Sequence, residues 1–175
     1  LRYSPQNAAL RRGDFGKILG ADCYSPHTVE PTHPDFGFYG IHGVETLYTL
    51  LGTGCEAVSR IHSPMGDIVS GRWNDGRLGT FRAVVKGPAV YGGTAFTEKG
   101  TVAAGGYAGY KGLLDEILRY FKSGASPVSK EETLEIFTFM KASNMSLERG
   151  GRTVMMDEAY AEGMKEARRL LDARR

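Results

Sequence analysis

Four histidines, His27, His33, His42 and His62, are the side chains in this sequence best suited to moving a proton near neutrality. An imidazole of ordinary pKa, about 6.5, exchanges protons with a hydroxyl or carbonyl, and correct placement makes that worth roughly a hundredfold or more in rate. None of the four pair at i, i+4. Cys23 and His27 come close only across a strand-to-loop junction, so a zinc site would need assembly from distant parts, and no metal is expected. His62 falls in a run that reads as strand, which suits a surface or packing residue. His27 and His33 lie in an irregular stretch that could line a cleft. His42 follows Gly40 at the opening of an amphipathic helix, where small neighbours leave the ring accessible, with Glu45 three residues on. Spacing alone leaves both a structural and a catalytic role open for His42.

The other chemical signal is a literal G-x-G-x-x-A at Gly52-Thr53-Gly54-Cys55-Glu56-Ala57, with Asp75 about twenty residues later. A dinucleotide fingerprint works when a strand enters the glycines and a helix leaves them, aiming helix N–H groups at pyrophosphate. Here a helix enters and a strand leaves. The glycines therefore read as a helix stop, and no P-loop is present.

The positioning elements follow from periodicity and punctuation. Ser4-Pro5 starts a short helix that ends at Gly13. Residues 16–24 read as a strand, 25–36 as a loop, and 38–51 as a helix carrying Ile41, Val44, Leu47, Tyr48 and Leu51 on one side. From Cys55 to Ala104, short Val-, Ile-, Phe- and Thr-rich runs are separated by Pro64-Met65-Gly66, Asn74-Asp75-Gly76, Gly87-Pro88 and Glu98-Lys99-Gly100, the pattern of hairpin-connected antiparallel strands. Three helices close the chain. The first spans 110–123 with Leu113, Leu114, Ile117 and Phe121 on one face. The second follows the Ser129/Glu132 capping box and turns Leu134, Phe137, Met140 and Ala142 inward. The third runs from Asp157 with Tyr160, Met164, Ala167 and Leu171 inward. The expected fold is α+β, an open, mainly antiparallel sheet with helices packed on one face.

Bulk composition narrows the function classes. The 175 residues suit one domain, and 22 basic against 20 acidic residues, scattered along the chain, do not point to nucleic acid. No apolar run approaches the roughly 20 residues that span a bilayer. Two cysteines, Cys23 and Cys55, are expected as free thiols, which fits a reducing, cytoplasmic setting.

Phe38-Tyr39-Gly40-Ile41-His42-Gly43-Val44-Glu45-Thr46-Leu47 resembles the D-x-G-x-H-x-x-D helix of the Gfo/Idh/MocA oxidoreductases. Leu1-Arg2-Tyr3 and Gly13-Asp14-Phe15-Gly16-Lys17-Ile18 are similar to that family's passage into its second domain. Asn74-Asp75-Gly76 through Gly79-Thr80-Phe81 resembles its sheet hairpin, and Pro127-Val128 with Glu131, Ala142 and Ser143 its late helix. The resemblance covers nearly the whole chain. It implies a C-terminal substrate-binding and oligomerisation domain over residues 1–175, whose partner is its own N-terminal Rossmann domain, absent from this chain, which would bind NAD or NADP.

It further implies a sugar, cyclitol or polyol substrate, homo-oligomerisation through the open sheet, and His42 handling the proton of the reacting alcohol. Tyr39, Glu45, His33, Trp73 and Tyr110 become the substrate-contact candidates. Phe38 stands where the family commonly carries an aspartate, and Glu45 where it carries another, so Asp35 or Tyr39 could assist His42 instead. The chain alone is expected to be inactive. Two alternatives accompany this reading: a noncatalytic carbohydrate-binding or assembly module, and a metal-dependent hydrolase using His33, His42 and Glu45.

Overall fold

The helix that carries His42 can lie close to the sheet because glycines stand where it meets the sheet and the preceding turn. In the computed structural model, which describes residues 1–28, 30–33 and 35–173, helix α2 (Gly40–Leu51) packs on strands β1 (Ile18–Pro26) and β4 (Leu78–Val84). A Cβ at Gly43 would lie 2.3 Å from the Phe81 ring, and one at Gly40 would lie 2.8 Å from the Phe36 side chain. Val44, Leu47, Tyr48 and Leu51 then enter the core with Phe81, Val69 and Trp73. The helix ends at Gly52, whose φ of +68° is open to glycine at little cost.

The sheet has seven strands in the order β6-β5-β1-β4-β3-β2-β7, from β2 (Cys55–Ser63), β3 (Gly66–Trp73), β5 (Gly92–Thr97), β6 (Gly100–Ala104) and the two-residue β7 (Val154–Met155). The expected hairpins at 64–66, 74–76 and 98–100 are present. The Gly87-Pro88 segment is not a hairpin. β1 occupies the gap between β4 and β5, parallel to β4 and antiparallel to β5, so residues 85–91 cross over it. Single-strand periodicity records which face of β1 is buried and carries no information on its neighbours, which is why this pairing escapes a sequence reading. The α+β architecture and the open, mainly antiparallel sheet are as expected.

Helix α1 (Pro5–Arg12) starts on the Ser4 side chain, which accepts from the Asn7 amide. Helix α4 (Lys130–Glu148) lies over β2, and Met156 and Ala159 anchor α5 (Met156–Asp172) beside it. Ser129 caps α4 by accepting from Glu132 N at 3.0 Å. The Glu132 carboxylate turns instead to Arg2, whose guanidinium also reaches Glu45 Oε1 at 3.1 Å. This buried cation ties the first residues to both α2 and α4.

Not every apolar helix face is covered. Among the described residues none of helix α3 (Lys111–Ser123) is buried, and Phe121 is 78% exposed. Phe137, Tyr160, Met164 and Leu171 are also exposed, contrary to the inward orientation their spacing suggests. The sheet face opposite the helices is open as well. It presents Phe96, Leu78, Tyr24 and Ile61 around a polar row in which Thr80 donates to Asp22 and Ser59 pairs with Ser70. Cys23 and Cys55 are free and buried, and burial pushes the Cys55 thiol up to about 12. No helix among the described residues is long and apolar enough to cross a membrane.

Replacing Gly43 by Val should separate α2 from Phe81 and lower stability by about 1–3 kcal/mol, the usual cost of overpacking a core. Urea unfolding followed by far-ultraviolet circular dichroism should show a lower midpoint at unchanged slope.

Candidate active-site surface

The C-terminal end of β1 feeds residues 27–39, which return to the start of α2, and this path determines what surrounds His42. Ser25 is fully buried there and donates to the Tyr39 and Gly40 carbonyls at 3.2 and 3.3 Å, fixing the helix start. His42, in the first turn, is half-buried, and its imidazole takes no hydrogen bond from the described residues. Burial lowers its pKa, and Glu45 opposes that fall. The net direction leaves the ring neutral and able to accept a proton at neutral pH.

Aromatic rings surround it. Tyr91 lies 5.8 Å from His42 between ring centroids, Tyr39 6.3 Å away, Phe38 4.6 Å beyond Tyr39, and His33 5.3 Å beyond Phe38. On the Tyr91 side, Gly106 passes so close that a Cβ would lie 2.9 Å from the Tyr91 carbonyl. The 105–110 segment so placed carries the exposed Tyr107–Tyr110 pair, 5.5 Å apart. Burial, with Tyr39 and Tyr110 nearby, raises the Tyr91 phenol above its ordinary value. Asn7 fixes this arrangement: its side chain accepts from Gly105 N and donates to the Leu1 carbonyl.

Of the residues expected to contact a ligand, Tyr39, His33 and Tyr110 are exposed on this side of the molecule. Glu45 reaches the electrostatic field of His42, but its carboxylate is held by Arg2. Trp73 does not belong to the surface. It is 1% exposed, packs against Tyr48 and Phe139, and donates Nε1–H to the Gly52 carbonyl at 2.9 Å. A tryptophan after a hairpin-like pattern reads equally well as a binding platform or a core anchor, and the alternation of β3 assigns it to the core. Tyr91, Tyr107 and Asn7 were missed. Tyr91 follows a crossover that periodicity does not detect, and nothing local marks Asn7 as a staple between distant segments.

Asp35 does not assist His42. It accepts from Arg60 and lies 3.3 Å from His27 Nε2, while Arg60 Nε donates to the buried Asp67 at 2.8 Å and stacks over Phe36. His62 Nδ1 joins the same Asp67 at 2.9 Å. This network fastens the turn at Asp35–Gly37 that precedes the aromatic wall.

The glycine-rich fingerprint is consumed internally. The Gly54 and Cys55 amides both donate to Glu135 Oε1 at 2.8 Å, so a carboxylate of α4 sits where a phosphate would have to bind. A cleft of about 860 Å³ lies between α1, the far end of α2 and the start of β1, and does not include His42.

The same arrangement of helices and mixed sheet is found in solved dehydrogenases. No family model and no curated protein sequence matches the chain. A probable dehydrogenase from Thermotoga maritima superposes with a TM-score of 0.71 over 90% of this chain and 62% of its own length, at 18% identity. The myo-inositol dehydrogenase of Lactobacillus casei, solved with NAD(H) and myo-inositol, gives 0.65 over 88% and 59% at 14% identity. Apo scyllo-inositol dehydrogenase from the same organism gives 0.70 over 89% and 60% at 11% identity. The chain shares its fold with part of each of these dehydrogenases. The chain spans about three fifths of the length of these structures.

Burial alone would raise the Asp35 carboxyl, but hydrogen bonds from His27 and Arg60 outweigh it and hold the group below the usual range. A depressed folded value gives stability that is present above the unfolded pKa and lost as pH falls through the folded one. Urea-measured stability should therefore decline below about pH 4, and Asp35→Asn should flatten that acid limb.

Proposed function

We propose that this chain is the substrate-side domain of an NAD(P)-dependent dehydrogenase of the Gfo/Idh/MocA family acting on a sugar, cyclitol or related polyol. The observation that carries the reading is His42 itself: a neutral imidazole with no hydrogen-bond partner among the described residues, on a ring-lined wall, in a fold shared with dehydrogenases. In oxidation, an unprotonated ring nitrogen of His42 would accept the alcohol O–H proton. The nicotinamide supplies hydride chemistry when bound. Tyr39 and Tyr91 orient the substrate and exclude water from one side.

The residues of this chain fit a wall facing the reactive end of a dinucleotide and do not fit a phosphate site, since Glu135 holds the amides at Gly54 and Cys55. Phosphate binding therefore falls to an N-terminal Rossmann domain as partner. The unburied apolar face of α3 and the open sheet face support further contacts, the latter with a second copy. The metal-dependent hydrolase reading loses support because Glu45 is committed to Arg2.

In the intact protein, His42→Ala should reduce the rate of alcohol oxidation by about 10²- to 10⁴-fold with folding retained. Turnover within threefold of wild type would instead favour a noncatalytic carbohydrate-binding module. Because burial lowers the His42 pKa, the acid limb of the oxidation rate should lie below the ordinary histidine value of about 6.5 and vanish in the alanine variant. Ile61→Lys with Phe96→Lys, both on the open face, should reduce the assembly measured by light scattering, whereas an unchanged mass would remove the sheet as the oligomer contact.

A further inference from the structure

The wall is longer than one sugar ring requires. Tyr91, His42, Tyr39, Phe38 and His33 form an unbroken series in which each ring centroid lies 4.6 to 6.3 Å from the next. A single six-membered ring can cover one of these faces or bridge two neighbours, not five. Phe38 and Tyr39 are each more than a third exposed although they are large and partly apolar, and each rests edge-on against its neighbour. The wall is also poor in groups that hold a small polyol through paired hydrogen bonds. Glu45 is committed to Arg2, and Asp35 to Arg60 and His27. Among the described residues, phenolic hydroxyls and imidazoles are what remain along the ring series. Ring faces recognise the C–H faces of pyranoses and aromatic aglycones by stacking, which tolerates differences in hydroxyl pattern.

We propose that the substrate is a glycoside of at least two rings rather than a free monosaccharide or cyclitol. The reacting ring lies between His42 and Tyr91, and the second, a sugar or aryl group, stacks on Phe38 with His33 at its edge. This assignment rests on the proposed function above and specifies the substrate class at that same surface. Phe38 is a specificity-determining residue. It contributes to binding of the second ring and leaves proton transfer at His42 untouched.

The test compares methyl β-D-glucoside with phenyl β-D-glucoside and cellobiose, with binding to the 175-residue chain read by saturation-transfer NMR and kcat/KM read on the intact protein. Both two-ring ligands should bind about three- to tenfold more tightly than the methyl glucoside, the affinity equivalent of one aromatic stacking contact. Phe38→Ala should abolish that advantage while changing methyl glucoside binding less than twofold. Tyr91→Ala should weaken all three. Circular dichroism identical to wild type establishes that Phe38→Ala folds, and Phe38→Tyr should restore the advantage. Equal affinities for one- and two-ring ligands, or a Phe38→Ala loss shared equally among them, would overturn the proposal. Such a result would leave the dehydrogenase reading standing. Binding with the expected preference but no NAD(P)-dependent turnover in the intact protein would do the reverse.

Discussion

The close approach of α2 to the sheet is the constraint on which the rest of the domain depends. Gly40 and Gly43 remove the two side chains that would hold the helix off Phe36 and Phe81, and Ser25 fixes where the helix begins by donating to the carbonyls of its first turn. From that contact follow the burial of Val44, Leu47 and Leu51, the half-burial of His42, and the direction in which Tyr39 leaves the helix. A lowered imidazole pKa is thus a packing result before it is an electrostatic one. Partial desolvation comes from the helix position, and the compensating charge of Glu45 is shared with Arg2.

Two buried guanidinium groups hold the parts that apolar packing leaves loose. Arg2 joins the entry segment to α2 and α4, and Arg60 joins the turn at Asp35 to β2, β3 and Asn144 of α4. Buried charges are costly to desolvate and gain in return only when their partners are fixed. Here each arginine meets two carboxylates, so each cluster carries net negative formal charge. In the Arg60 cluster, the rings of His27 and His62 also contact Asp35 and Asp67.

Legibility in the sequence followed the range of the interactions. Helix starts and stops, the three tight turns and the fate of the Gly52–Gly54 fingerprint were readable, because each is decided within a few residues. Insertion of β1 between β4 and β5 was not, since strand pairing across a crossover leaves no local trace. The inward reading of Phe137, Tyr160 and Leu171 failed for a related reason: periodicity identifies an apolar helix face and not whether this chain covers it. His42, Tyr39, His33 and Tyr110, singled out from the sequence and its family resemblance, lie on the same ring-lined side of the molecule. Trp73 was misassigned to the surface, and Tyr91 was invisible until the 85–91 crossover placed it beside the imidazole.

The tie between Glu135 and the amides of Gly54 and Cys55 has a consequence for how this domain can change. Those two donors are the raw material of an anion pocket, and folding spends them on joining α4 to the start of β2. Any lineage that recruited them for a phosphate would first have to loosen a helix–sheet junction that also flanks Trp73 and Tyr48. This fold therefore cannot acquire a phosphate grip at that junction by small steps without passing through a less stable form of itself.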